Sequence, residues 1–193
     1  MRGTFRAMST ASLLTVAAAA GLVGQTRIIM GVGAGVIMPS KSSFEPPEVK
    51  SLGYHAQLMV GIAPSAGKIS VRFDGQYASL NYEEQTSGAR PKEKILAVNA
   101  DLVFHPSSSG SVRPYLLAGP TYGHFSYRAG LSGTGDESTS NFGFNGGAGL
   151  NIGTANKVWF FTEARYIYTK DHKYIPITIG IRINTGQPYQ PRS

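Results

Sequence analysis

The stretch "YIPITIGIRI", residues 174–183, decides how this chain is read. Ile175, Ile177, Ile179, Ile181 and Ile183 take every odd position, and Pro176, Thr178, Gly180 and Arg182 take the even ones. Strict alternation is the mark of a β-strand, because successive side chains point to opposite faces of a sheet. One face of this strand is purely aliphatic. The other is small and polar and carries a permanent charge. Which of the two is the inside of the protein decides everything that follows.

The alternation runs through the chain. Seven more segments show it, at 26–38, 53–62, 69–81, 94–105, 114–127, 141–153 and 157–168. Each is about as long as the 9–11 residues that a tilted transmembrane strand needs. In 26–38, Ile28, Met30, Val32, Ala34 and Val36 alternate with Gly31, Gly33 and Gly35. In 69–81, Ile69, Val71, Phe73 and Tyr77 oppose Ser70, Arg72, Asp74 and Gln76. In 94–105, Leu96, Val98, Ala100, Leu102 and Phe104 oppose Ala97, Asn99 and Asp101. In 157–168, Val158, Phe160, Ala164, Tyr166 and Tyr168 oppose Glu163 and Arg165. The segment "PYLLAGPTYGHFSY" (114–127) is the least regular. Pro120 has no N–H to give to a ladder and points to a bulge or a local break there.

The connections differ in length. Those at 39–52, 82–93 and 128–140 are long, those at 63–68, 106–113 and 154–156 are shorter, and 169–173 is short but charged. Long connections therefore collect at one end of the sheet, as the outer loops of up-and-down membrane barrels do.

Length and composition agree with one all-β domain. The chain has 193 residues, no cysteine and a formal charge of +7. Without cysteine there are no disulfides, no thiol nucleophile and no thiolate metal site. At the N-terminus, Arg2 and Arg6 precede the apolar run "ASLLTVAAAAGLV" (11–23), which is too short to span a bilayer. This predicts a secretory signal peptide over 1–24, with cleavage after Ala20 or Gly24, and a barrel domain over 25–193.

A soluble barrel would bury its aliphatic face and show water a surface rich in Lys and Glu. Here the second face holds Gly, Asn, Thr and six ions, Arg72, Asp74, Asp101, Glu163, Arg165 and Arg182, three of each sign. Balanced charge suits a closed interior where ions can pair. The isoleucines are accordingly expected to face lipid, and the six ions to form a polar network in the lumen. Closure of the sheet satisfies every backbone group, as hydrocarbon demands. Aromatics near the strand ends fit the interfaces: Tyr54, Tyr77, Phe142, Phe144, Tyr166 and Tyr168 towards the long loops, and Phe104, Tyr115 and Phe160 towards the turns. A barrel of this size is filled by its own side chains. Glycines on inward positions would either leave room for long neighbours, with Arg182 beside Gly31, or simply serve strand curvature.

With "GVGAGVIMP" in the first strand, "RPYLLAGPTYG" (113–123) in the fifth and the alternating terminal strand, the chain resembles the small eight-stranded outer-membrane barrels of the OmpA/OmpX type over roughly 26–184. Thr178, Gly180, Ile181 and Ile183 match that family's terminal assembly pattern, except that the strand ends aliphatic rather than aromatic. The resemblance implies an eight-stranded antiparallel transmembrane barrel in a bacterial outer membrane. It also implies a monomer without cofactor or catalysis, in contact with lipid and lipopolysaccharide and free to meet extracellular ligands through its loops. Lys41, Lys50, Arg90, Lys92, Arg128, Lys170 and Lys173 border those loops and could meet anionic headgroups, but ordinary solvated loop charge is the plainer reading.

Two other readings deserve weight. "GHFSY" (123–127) sets His124 two residues before Ser126, with Asp136 and Glu137 a loop away. A His–Ser–acid set can activate serine for acyl transfer, and outer-membrane lipid A deacylases resemble this. Alternation through Tyr115, Leu117 and Phe125 would, however, turn His124 and Ser126 inward, away from lipid. The second rival is a soluble, periplasmic, lipocalin-like carrier. His55, His105 and His172 sit on separate segments and show no metal-ligand spacing. Nothing in the basic balance suggests a nucleic-acid platform.

Overall fold

The computed structural model describes residues 26–39, 52–64, 67–81, 92–107, 110–128, 137–153, 157–170 and 172–185. The expected signal peptide, most of the three long loops and the tail 186–193 lie outside the described residues. Eight strands follow in chain order: β1 (Thr26–Pro39), β2 (Gly53–Pro64), β3 (Ile69–Asn81), β4 (Lys92–Phe104), β5 (Val112–Arg128), β6 (Glu137–Ile152), β7 (Val158–Thr169) and β8 (Lys173–Thr185). Each pairs antiparallel with its chain neighbour, and β8 pairs with β1, so the sheet closes into an up-and-down barrel. Closure leaves no strand edge, which is what allows a sheet to live in hydrocarbon.

The orientation question is answered by exposure. Ile177, Ile179, Ile181 and Ile183 are exposed, Ile179 at 68%, as are Val32, Leu58, Val98, Leu102 and Phe160 on other strands. Arg72, Asp74, Asp101, Glu163 and Arg165 are all buried. The aliphatic face is the outside. Tyr54, Tyr77, Phe142, Phe144, Tyr166 and Tyr168 are exposed towards the long-loop end, and Phe104 and Phe160 towards the short-turn end.

Three points correct or sharpen the sequence reading. Tyr115 is not a belt aromatic: it is 1% exposed and points into the lumen. Leu117, Thr121 and Phe125 share its face, so the expected phase of β5 is reversed and His124 and Ser126 face outward. Second, of the two outcomes expected at Pro120, the local break occurs and the bulge does not. The β4–β5 ladder runs from Lys92↔Arg128 to Asn99↔Thr121 and resumes at Leu102↔Ala118 in the same register. The missing N–H opens the ladder locally without shifting it, because β6 pairs with Pro120 and its neighbours without interruption.

Third, the lumen is not polar throughout: an apolar cluster lies on either side of the central ions. Towards the long loops, Ile37, Ala78, Leu80, Ile95, Ala97, Phe125, Ile167 and Tyr174 form an apolar layer. Towards the short turns, Val103, Tyr115 and Leu117 cluster, with Met59, Trp159 and Phe161 also buried. Eight strands give a bore that side chains can fill, and the central ions lie between these two apolar clusters.

Candidate functional site

The central layer is built by strands β3 to β7. On β3, Arg72 and Asp74 point inward two residues apart, and on β7 Glu163 and Arg165 do the same. Arg72 forks onto Glu163, with Nη1 donating to Oε2 at 2.7 Å and Nη2 to Oε1 at 3.2 Å. Arg165 forks onto Asp74, with Nη2 donating to Oδ2 at 2.7 Å and Nη1 to Oδ1 at 3.2 Å. The pairs cross the lumen in opposite senses, so each strand supplies one cation and one anion. Asp101 on β4 joins both guanidiniums, accepting from Arg72 at 3.3 Å and lying 3.2 Å from Arg165 Nη1. Bidentate pairs of this kind fix geometry as well as charge.

Neutral donors complete the layer. Tyr115 Oη donates to Glu163 Oε2 at 2.7 Å. Asn99 Nδ2 donates to Asp74 at 2.8 Å, Thr121 Oγ1 to Asn99 Oδ1 at 2.7 Å, and Asn145 Nδ2 to Asp101 at 2.8 Å. Buried ions cost several kcal/mol each unless their remaining lone pairs and protons are used. Asp74, Asp101 and Glu163 therefore each take a neutral hydrogen bond besides their arginines.

A second chain of bonds ties the remaining strands. His55 on β2 donates from Nε2 to the Ile177 carbonyl of β8 at 3.2 Å, while Gln76 Nε2 on β3 donates to His55 Nδ1 at 3.0 Å. This pattern assigns the Nε2–H tautomer. His55 reaches β8 across β1 because Gly35 lies opposite it in register and lacks a side chain. The same logic holds elsewhere in the barrel. A Cβ on Gly149 would fall on the Tyr115 ring, one on Gly147 against Arg165, and one on Gly180 against Phe161. The glycine rows are the negative image of the large inward side chains.

Of the six expected lumen ions, five meet in one cluster. Arg182 does not join it. It points inward opposite Gly31, but its register partner on β7 is Trp159, a full layer below Glu163 and Arg165. Among the described residues it makes no hydrogen bond or ion pair. Its guanidinium carbon instead lies 6.0 Å from the centre of the Tyr115 ring. Arg182 borders a void of about 20 Å³, also lined by Ser70, Arg72, His105 and Tyr115, which is room for about one water molecule. Tyr115, Asn99, Thr121, Asn145, His55 and Gln76 were missed as members of the network. Parity carried a signal for Asn99 and Gln76, which stand on the same inward rows as Asp101 and Asp74.

At the short-turn rim, just after β4, His105 Nε2 lies 3.3 Å from Ser70 Oγ. Burial, reinforced by the positive field of Arg182, Arg27, Arg113 and Arg72, pushes its pKa down to about 4. At the opposite rim, His172 stacks on Phe125 at 3.8 Å and faces Glu93 at 3.1 Å.

On the outer surface, His124 Nδ1 lies 2.9 Å from Ser140 Oγ and its Nε2 3.5 Å from Ser126 Oγ. A charge-relay site would need a carboxylate where Ser140 stands. Glu137 pairs in register with Tyr127, and its side chain lies outside the described residues.

Known proteins agree with this geometry. The sequence profile for the outer membrane protein beta-barrel domain matches residues 8–187. No curated protein matches. Among solved structures, Neisserial surface protein A is 17% identical with a TM-score of 0.57, covering 82% of this chain and 96% of its own. Ail of Yersinia pestis, solved with the heparin analogue sucrose octasulfate, is 17% identical with a TM-score of 0.56, covering 85% and 100%. OprG of Pseudomonas aeruginosa is 16% identical with a TM-score of 0.59, covering 86% and 98%. At such identities the structures speak for the fold. Family and fold together make this chain a member of the outer membrane protein beta-barrel domain family, an eight-stranded barrel of the bacterial outer membrane.

Proposed function

We propose that this protein is a non-catalytic outer-membrane barrel whose lumen is a structural plug, and whose dealings with the outside run through the loops at 39–52, 82–93 and 128–140. The observation that carries the reading is the cross-lumen cluster of Arg72, Asp74, Asp101, Glu163 and Arg165, which fills the bore from both walls. Ions held in mutual bidentate pairs are not available to a passing solute. Apolar layers above and below add two further seals.

The hydrolase reading loses support at its geometry. The His124–Ser126 separation of 3.5 Å exceeds the roughly 2.6–3.2 Å reach of a nucleophile–base pair, and Nδ1 is engaged by a hydroxyl rather than an acid. The soluble-carrier reading conflicts with the broad exposed belt of Ile, Leu, Val and Phe. Ail, with the same fold, holds a sulfated sugar, so a barrel of this size can serve as a ligand-binding surface.

Planar-bilayer recording tests the plug: wild-type protein is expected to show no steady conductance, and open-channel steps would refute it. Lipid A from cells expressing wild type or Ser126→Ala is expected to carry the same acyl chains. A chain lost only with the wild type would establish catalysis.

A further inference from the structure

The short-turn mouth of the barrel gathers cations on its inward side. Arg27 on β1, Arg113 on β5 and Arg182 on β8 stand on inward rows and are half-buried. Lys68 and Lys157, just before β3 and β7, continue inward rows and are exposed at the rim. Each of these five cations has an exposed aliphatic chain neighbour, Ile28, Ile69, Val112, Val158 or Ile183. Lipid at this depth therefore meets aliphatic side chains, while the charge is turned towards the bore.

No acid balances that charge. Asp74, Asp101 and Glu163 belong to the central cluster, and all other Asp and Glu residues lie in or beside the connections at the opposite end. The stretches that join the mouth, 1–25, 65–66, 108–109, 154–156 and 186–193, contain neither residue. The imbalance thus holds however those stretches run. The central cluster has one carboxylate more than it has guanidiniums, which offsets a single cation of the mouth. Charges of one sign at an opening focus their field into it and concentrate counter-ions there.

The groups also converge. Arg113 lies 4.3 Å over the Trp159 ring and donates from Nε to the Gly110 carbonyl at 3.0 Å, which fixes its plane. Trp159 is the register partner of Arg182, whose guanidinium carbon is 6.0 Å from the Tyr115 ring. The His105 ring is 6.0 Å from the same ring, and the fields of Arg182, Arg27 and Arg113 meet on it. Arg182 Nε is buried without a hydrogen-bond partner among the described residues.

We infer that this mouth binds a small water-borne anion of the phosphate class, with Arg113 and Arg182 as its hydrogen-bonding clamp and Arg27, Lys68 and Lys157 as supporting charge. Planar guanidiniums present paired N–H donors that match phosphate oxygens. Their inward aim selects a solute over the phosphate of a membrane lipid, which would have to leave its leaflet to reach them. The void beside Arg182, about 20 Å³, takes one water and no tetrahedral anion. The anion accordingly rests on the turn side of Arg182, short of the ion cluster, and its site does not depend on the seal above it.

The test is equilibrium dialysis of the whole folded protein in neutral detergent at about 0.15 M salt, with labelled pyrophosphate as the probe. Trp159 is the only tryptophan, so its emission reports where the probe binds. Wild type is expected to take up one pyrophosphate per barrel, with a saturable change in emission. Arg182→Gln is expected to weaken uptake about tenfold, and Lys68→Gln/Lys157→Gln to weaken it less. Lys170→Gln, at the opposite rim, is expected to leave it unchanged, and all variants to keep heat-modifiable migration. Absence of saturable uptake, uptake with unchanged Trp159 emission, or full affinity in Arg182→Gln would overturn the site. Equal loss in Lys170→Gln would reduce it to general charge attraction and overturn it too. Displacement by phosphatidylglycerol in mixed micelles would make a lipid headgroup the occupant, and uptake only after removal of residues 186–193 would make that tail the occupant; either result refutes a solute site.

Discussion

Arg165 is the residue on which the central layer turns. It contacts Asp74, Asp101 and Glu163, and both of its faces are closed by the bore. Replacing it with Met would leave three carboxylates around Arg72 alone. Removing one partner of a buried ionic set typically costs about 3–5 kcal/mol, so Arg165→Met is expected to lower the unfolding free energy in micelles by about that much. Asp74→Asn/Arg165→Met should lose less than the sum of the single changes, by about 0.5–3 kcal/mol. Additive urea-unfolding energies would show that the fork is not formed. A quieter residue, His105, gives a pH dependence. Its folded pKa, about 4, lies below its ordinary 6.5. The folded barrel therefore takes up its proton less readily than the unfolded chain. The contribution of neutral His105 is complete above pH 6.5 and is lost as pH falls from 6.5 towards 4. His105→Gln is expected to flatten the urea midpoint between those limits, and profiles parallel to wild type would contradict the assignment.

At the scale of the strand, β8 and β5 show what alternation reveals and what it hides. In β8 the two faces differ so strongly in chemistry that their orientation could be argued from sequence. Ile179 is paired with Ala34 and Thr162 and stands at the middle of its strand, fully on the lipid side. Ile179→Arg is expected to cost about 2–4 kcal/mol in phospholipid vesicles, the penalty for a cation near the bilayer midplane. Guanidinium titration measures it, and a change below about 0.5 kcal/mol would mean a hydrated face. In β5 both faces are apolar: Leu116, Ala118 and Tyr122 point out, while Tyr115, Leu117 and Phe125 point in. Period two separates two such faces without saying which is which. The missing clue lay on the neighbouring strand, where Gly149 stands opposite Tyr115 and Gly147 opposite Leu117. The Tyr115 ring fills the space that Gly149 leaves, while Arg165 of β7 takes that beside Gly147. The ion cluster was legible because charges inside a membrane barrel have nowhere else to go. Arg182 was misjudged because parity gives the face but not the depth, and depth depends on the stagger between strands.

For the whole molecule, sealing is distributed along the bore. The layer under the long loops is set by Phe125 and Tyr174, with His172 stacked on the first of these. Below it the ions span from β3 to β7, and below those Tyr115, Trp159 and Phe161 close the short-turn end. A solute entering from outside would meet aromatic bulk first and paired charge second. Phe125→Ala/Tyr174→Ala removes only the first obstacle. Each large-to-small change in a packed core costs about 3–5 kcal/mol, so the variant is expected to unfold at lower urea while remaining heat-modifiable. It is nevertheless expected to stay silent in planar bilayers, because Arg72 and Arg165 keep their carboxylate partners and still fill the central section. Discrete conductance steps in this variant, with the ion cluster intact, would show that the aromatic layer alone closes the barrel and that the charged layer serves only to hold its walls together.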